Sequence, residues 1–156
     1  MRFLLLILTF ISISLSAAEI KGKVVGVSDG DTITVLDDMD KGRFRIRLDK
    51  IDAPEKKQNF GNKSKQVLSS LIYGKNVVVR FNKIDNYGRV VGIVTCDGKE
   101  INLIMVQEGF AWHYSYYDKT QSYIDAEKKA RADKKGLWID PNPMNPYEFR
   151  KTQKRR

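Results

Sequence analysis

Apolar positions along this chain change their period several times, and each change predicts an element. β-Branched residues cluster between Ile20 and Val27 and again from Thr32 to Leu36, which predicts two strands joined by a turn at Ser28-Asp29-Gly30. Asp37 to Gly42 is a polar turn. Phe44, Ile46 and Leu48 then alternate with Arg43, Arg45, Arg47 and Asp49, the period-two pattern of a half-buried third strand. Ala53-Pro54 breaks that pattern. From about Phe60 to Tyr73, Val67, Leu68, Leu71 and Ile72 recur at helical spacing, and Gly74 ends the run. Asn76 to Phe81 and Arg89 to Thr95 predict two further strands, with Asp85-Asn86-Tyr87-Gly88 between them and Asp97-Gly98 after the second. Helices are predicted from about Ile101 to Glu108 and from about Ser122 to Lys135, with Gly109 and Gly136 just beyond them.

Five short strands with one helix after the third match the order of an OB-fold barrel. The expected fold class is α+β, a five-stranded OB-fold β-barrel with three α-helices. No internal repeat or second domain is visible, so the domain is placed at 19–140. Residues 141–156 carry Pro141, Pro143 and Pro146 and then Lys151, Lys154, Arg155 and Arg156, the pattern of an extended basic tail.

The first eighteen residues read as a leader. Arg2 is followed by the apolar run Phe3 to Leu15 and by Ser16-Ala17-Ala18, the order of a secretory signal peptide cut before Glu19. A membrane anchor is the alternative, but the run falls short of the roughly 18 to 20 apolar residues that span a bilayer. No cysteine near the cut offers a lipid anchor. A secreted or periplasmic protein is expected, with no membrane span after cleavage.

Charge adds a partner class. Losing the leader removes one of 28 basic residues and none of 19 acidic ones, so the net charge falls from +9 to +8. Such an excess favours polyanions, nucleic acid or an anionic surface, without choosing between them. Cys96 is the only cysteine and His113 the only histidine. That excludes an internal disulfide, a cysteine zinc cluster, a site built on several imidazoles and acid–base catalysis by two histidines. Chemistry must therefore run on carboxylates, arginines, tyrosines, lysines or an oxygen-loving metal.

Four groups could supply it. Asp29-Gly30-Asp31-Thr32 is either an ordinary hairpin turn or a carboxylate placed where a strand begins, and strands disfavour carboxylates. Asp52-Ala53-Pro54-Glu55 is likewise either a turn or a second acidic station. Asp31 and Asp52 with a backbone carbonyl such as that of Ala53 would make a hard-oxygen site suited to calcium, with water and a phosphate completing the shell. Arg47 and Arg89 offer planar forks for phosphate oxygens, although periodicity does not separate Arg47 from Arg43 and Arg45, and a solvated basic face is the plainer reading. Trp112, His113, Tyr114, Tyr116 and Tyr117 suit either base stacking or packing on the barrel.

Taken in order, Asp29-Gly30-Asp31-Thr32, Arg47 through Ile51-Asp52-Ala53-Pro54-Glu55, Asp85-Asn86-Tyr87-Gly88-Arg89, Gly109 to Tyr114 and Lys135-Gly136-Leu137-Trp138 resemble the thermonuclease (staphylococcal nuclease-like) family over about residues 20 to 139. The resemblance implies an OB barrel with three helices and a calcium-dependent nuclease acting on DNA and RNA. It implies Asp31, Asp52 and the Ala53 carbonyl as calcium ligands, Glu55 as general base, and Arg47 and Arg89 on the phosphate. Tyr87 and Tyr117 look like nucleotide contacts, and the products would end in 3′-phosphate. Asn86 and Ser115 depart from residue types frequent at those places, and the loop after Glu55 is short, which bears on substrate preference. His113 is expected to be structural and Cys96 a small strand residue. A monomer without a stable protein partner is expected. The rival readings are a non-catalytic OB-fold nucleic-acid-binding module, and a basic protein bound to an anionic envelope surface.

Overall fold

The computed structural model describes residues 18–154. The predicted leader therefore lies, except for Ala18, outside the described residues. In chain order the elements are β1 (Ala18–Asp29), β2 (Thr32–Asp37), β3 (Arg43–Leu48), β4 (Ile51–Asp52), α1 (Gly61–Ile72), β5 (Asn76–Ile84), β6 (Val90–Cys96), β7 (Lys99–Glu100), α2 (Ile101–Gln107), β8 (Trp112–His113), α3 (Gln121–Ala132), a 3₁₀ turn (Gly136–Ile139) and α4 (Pro146–Lys154).

Antiparallel pairing runs β3-β2-β1-β5-β6, and the two ends meet because β3 also pairs with β6 in parallel, Ile46 beside Val90 and Arg47 beside Val91. Closure removes the free edges that an open sheet would expose. Curvature comes from register shifts in β1 between Val24 and Gly26 and between Val27 and Asp29, and in β5 between Phe81 and Lys83, since each extra residue bends its strand. The α+β five-stranded OB barrel expected from the pattern is thus the fold, with four α-helices where three were expected.

Alternation decides the core. Ile33 and Val35 of β2, Ile46 and Leu48 of β3, Val79 of β5 and Val94 of β6 point inward and are fully buried. Leu68 and Ile72 of α1, Met105 and Val106 of α2, and Tyr123 of α3 join the same cluster. Each such aliphatic side chain contributes about 1.5 to 3 kcal/mol when removed from water. A smaller cluster of Ala130, Leu137 and Trp138, with Phe60 and Trp112 against it, fastens the C-terminal end of α3. Cys96 is buried in β6, as a small strand residue would be.

Besides strands that run a few residues longer, such as β1 to Asp29 and β5 to Ile84, three features differ from the pattern reading. Asp31 lies in the turn itself and not in a strand, because Asp29 Oδ1 accepts its backbone N–H at 3.1 Å and bends the chain there. Helix α3 stops at Ala132, three residues early, because Lys134 and Gly136 take left-handed φ values of 51° and 52°. The tail is helical over Pro146–Lys154 and not extended. Pro146 opens that helix, where its missing N–H costs nothing, with Glu148 in the first turn and Lys151 and Lys154 in the last, the order that favours the helix dipole. Among the described residues no helix is long and apolar enough to cross a membrane.

Candidate active site

One end of the barrel carries a cleft of about 730 Å³, lined among others by Asp31, Arg47, Asp52, Ala53, Glu55, Tyr87, Arg89 and Tyr117. The eight positions to which the resemblance gives a role therefore meet in one place. Asp31 comes from the β1–β2 turn, Arg47 from β3, Asp52 from β4, and Ala53 and Glu55 from the loop that follows. Tyr87 and Arg89 come from the turn before β6, and Tyr117 from the segment after β8.

Local structure explains the convergence. The Asp31 carbonyl accepts the Leu48 N–H at 2.8 Å, and its carboxylate Oδ2 accepts the Ala53 N–H at 2.7 Å. The turn thus rests directly on the acidic loop. Gly30 allows this, because a Cβ there would lie 1.9 Å from Ser64 Oγ and 2.8 Å from Ala53 Cβ. Gly61 plays the same part beneath Glu55, where a Cβ would lie 2.0 Å from the Glu55 carbonyl oxygen. Strand β4 pairs with β8, Asp52 opposite Trp112, which ties the second carboxylate to the aromatic segment.

Asp31 and Asp52 are both buried. Arg47 forks between them, Nη1 at 3.3 Å from Asp31 Oδ2 and Nη2 at 3.2 Å from Asp52 Oδ1. Nη1 also donates to the Leu48 carbonyl at 2.8 Å. A guanidinium has five N–H groups. These contacts leave Nε and one Nη2 hydrogen for another acceptor. Periodicity left Arg43, Arg45 and Arg47 equivalent; depth separates them, since Arg43 and Arg45 are exposed and Arg47 is not. Across the cleft, Arg89 donates its Nε to Asp85 Oδ2 at 2.8 Å, which leaves both Nη groups for a ligand. Tyr87 and Tyr117 are 83% and 80% exposed, the first with the Arg89 guanidinium 5.4 Å from its ring centroid and the second edge-to-face with Tyr114 at 5.0 Å, so each still presents ring surface to solvent.

The carboxylates sit in an unfavourable field. Burial raises the Asp52 carboxyl above its ordinary value, the charge of Asp31 adds to this, and Arg150 and Arg47 offset part of it. Asp29 is pushed up to about 6 by burial and then by Asp31. Such crowded, desolvated negative charge is what a bound divalent cation would relieve, and every side-chain donor is a carboxylate oxygen, which suits calcium or magnesium and not zinc. Among the described residues no three acidic, histidine or cysteine side chains form a ready cage, so two carboxylates and the Ala53 segment are what the protein would offer a cation.

The sequence reading missed several members of the cleft. Arg150 of α4 donates Nη1 to Asp52 Oδ1 at 3.1 Å and to Glu55 Oε1 at 2.8 Å, and Nη2 to Asp52 Oδ2 at 2.9 Å. Lys50 and Asp118 also line it, together with Tyr114 of the aromatic group named in the sequence. Burial raises the Tyr114 hydroxyl and the Asp52 charge raises it further. His113 is buried, with Nε2 against Asp118 Oδ2 at 2.8 Å and its backbone N–H on Glu127 at 2.6 Å; it does not line the cleft. A helix signal lay in Pro146, Glu148, Lys151 and Lys154, but nothing in the sequence places Arg150 beside Asp52.

The family model for staphylococcal nuclease homologues matches residues 45–140. The chain belongs to that family. It is 43% identical over 151 residues to an uncharacterized endonuclease of Haemophilus influenzae, covering 97% of this chain and 84% of the relative. A micrococcal nuclease of Shigella flexneri is 42% identical over 149 residues, covering 88% of this chain and 84% of the relative. A staphylococcal-like nuclease of Arabidopsis thaliana is 40% identical over 112 residues, covering 72% of this chain and 35% of that protein.

Proposed function

We propose that this protein is a calcium-dependent nuclease that hydrolyses phosphodiester bonds of DNA and RNA and leaves 3′-phosphate ends. Family membership and the relatives named endonuclease and micrococcal nuclease support a nuclease in general terms. The observation that carries the finer reading is the fork of Arg47 between Asp31 and Asp52, in one cleft with Glu55 and Arg89.

Each role follows from what the side chain can do there. Asp31 and Asp52, with the Ala53 carbonyl, would hold the cation. Calcium, when bound, supplies positive charge to a phosphate oxygen. Glu55 takes a proton from the attacking water, and its position at the cleft mouth gives it access to solvent. The water oxygen bonds to phosphorus as the bond to the 5′ oxygen breaks, and that oxygen leaves as a hydroxyl with a proton from solvent. The free N–H groups of Arg47 and Arg89 receive from two sides the negative charge that grows on the phosphate oxygens. Tyr87 and Tyr117 stack on the flanking nucleotides, worth about 1 to 3 kcal/mol per base. The net charge of +8 that remains without the leader, 27 basic against 19 acidic residues, steers the polyanion in. Residues 1–18 act as a secretion signal on this reading, and the mass of the exported chain tests that separately.

The deciding experiment incubates the purified protein with plasmid DNA, denatured DNA and RNA in calcium, in magnesium and in chelator. Cleavage is expected with calcium and abolished by chelator. Full activity in chelator would take the cation out of the mechanism, and binding without cleavage in every condition would leave a nucleic-acid-binding module. Glu55→Gln is expected to lower turnover at least about 10²-fold in a folded protein.

A further inference from the structure

We propose that Arg150 is a positioning residue of this active site, a third guanidinium, carried by the C-terminal helix, that holds the Glu55 carboxylate in register with Asp52. The inference rests on the function proposed above. Arg150 lies outside residues 45–140, the span of the family match.

Geometry carries the argument. Glu55 stands on a loop between β4 and α1, where no helix or strand fixes its side chain. Among the described residues Arg150 is its sole ion-pair partner, at 2.8 Å. The same nitrogen, Nη1, lies 3.1 Å from Asp52 Oδ1, so one atom sets the spacing between the two carboxylates. Without it, two anions close together would repel, and the more exposed Glu55 would swing into water. Burial opposes the charge on Arg150, but its bonds to Asp52 and then to Glu55 outweigh this and strengthen its hold on its proton.

The helix is built to deliver that group. Tyr147 packs on Tyr116 with ring centroids 5.4 Å apart. Pro146 is buried, and Phe149 lines a small cleft with Pro54 and Phe60. Gln58 links the loop to the residues just ahead of the helix through one amide: its Oε1 accepts the Glu55 N–H at 3.1 Å while its Nε2 donates to the Met144 carbonyl. Backbone and side chain of Glu55 are therefore both tied to the segment that carries Arg150. The Arg150 side chain is still 36% exposed, so a small cation can reach its place if it is removed.

The test compares the full chain with Arg150→Ala and Arg150→Lys on a short single-stranded DNA in saturating calcium, with amide hydrogen exchange on the same samples. Arg150→Ala should lower kcat about 10- to 100-fold with little change in KM. Millimolar guanidinium, far below denaturing levels, should restore part of that loss in Arg150→Ala and do nothing for the wild type, and Arg150→Lys should retain an intermediate kcat. Exchange should quicken over residues 53–60 and stay unchanged in β5 and β6. A kcat at the wild-type level would overturn the proposal, and one above it would mean that the helix blocks the cleft. A loss that guanidinium does not restore would overturn it as well. If the wild type cleaves nothing, the proposed function fails, and exchange alone then decides: unchanged protection over 53–60 in Arg150→Ala would show that Arg150 does not hold the loop.

Discussion

Asp85 grips Arg89 twice, accepting its side-chain Nε at 2.8 Å and its backbone N–H at 3.0 Å. The Tyr87 N–H, at 2.9 Å, shares the second oxygen. One carboxylate thus shapes the turn and aims the guanidinium that it presents. Asp85→Ala is expected to lower kcat about 10-fold, less than the roughly 10²- to 10³-fold expected for Arg89→Ala, because the arginine remains but is no longer aimed. Steady-state kinetics on one DNA substrate separates the two variants. Equal losses would show that Asp85 does more than orient its neighbour.

Arg47 has a structural duty besides its proposed catalytic one. Removing it leaves the buried Asp31 without an ion-pair partner among the described residues, beside an Asp52 that keeps Arg150. Arg47→Ala should therefore lower unfolding stability by about 3 kcal/mol in the absence of divalent cations. Calcium, which would bind the folded state, should recover part of that deficit. Denaturant unfolding with calcium and with chelator checks this, and an identical deficit in both would argue against a cation at these carboxylates.

Asp118 predicts an acid limb of stability. Burial pushes its carboxyl up, but bonds from the Thr120 hydroxyl, His113 and the Thr120 N–H outweigh this and hold it below its ordinary value. A carboxyl lowered in the folded state stabilises the protein fully above the unfolded-state value of about 3.9, and that contribution fades as pH falls toward the folded value. Asp118→Asn should cost about 1 to 2 kcal/mol near neutral pH. The gap to wild type should narrow below about pH 4. Urea titrations across pH 3 to 7 would read it, and a gap independent of pH would sink the account.

Asn102 is a buried side chain with its hydrogen bonds in place. Its Oδ1 accepts the Val94 N–H at 2.9 Å, and its Nδ2 donates to the carbonyls of Asp49 and Gly92 at 2.9 and 3.1 Å. The amide pins α2 to β6 and to the bend that leads into β4. Asn102→Leu should destabilise by roughly 2 to 4 kcal/mol, since it strands the Val94 N–H and the Asp49 carbonyl at about 1 to 3 kcal/mol each, while the Gly92 carbonyl keeps the Asp49 N–H. Thermal unfolding checks it, and a shift within error would show that water takes over the amide's partners.

Much of the site was readable because its residues fall in short, ordered blocks. Asp31 and Asp52 could be suspected as carboxylates at strand ends, and Arg47 as part of an alternating strand whose inward face is Phe44, Ile46 and Leu48. Periodicity alone could not separate Arg47 from Arg45, which differ in depth and not in pattern; only the family resemblance singled out Arg47. Strands β4 and β8 hold two residues each, too few for any period to register, yet they join Asp52 to Trp112. Arg150 was hidden for a different reason. Its partners lie 98 and 95 positions away, and three prolines ahead of it made the segment look extended.

The parallel pairing of β3 with β6 also sets when the cleft comes into being. Arg47 sits on one of these strands, and Arg89 immediately precedes the other, about forty residues later in the chain. Until that seam zips, the hairpin bearing Asp31 and Arg47 and the hairpin bearing Arg89 are joined only through β1 and β5, with no shared hollow for a phosphate. The cleft is thus a property of the closed barrel and of neither hairpin alone.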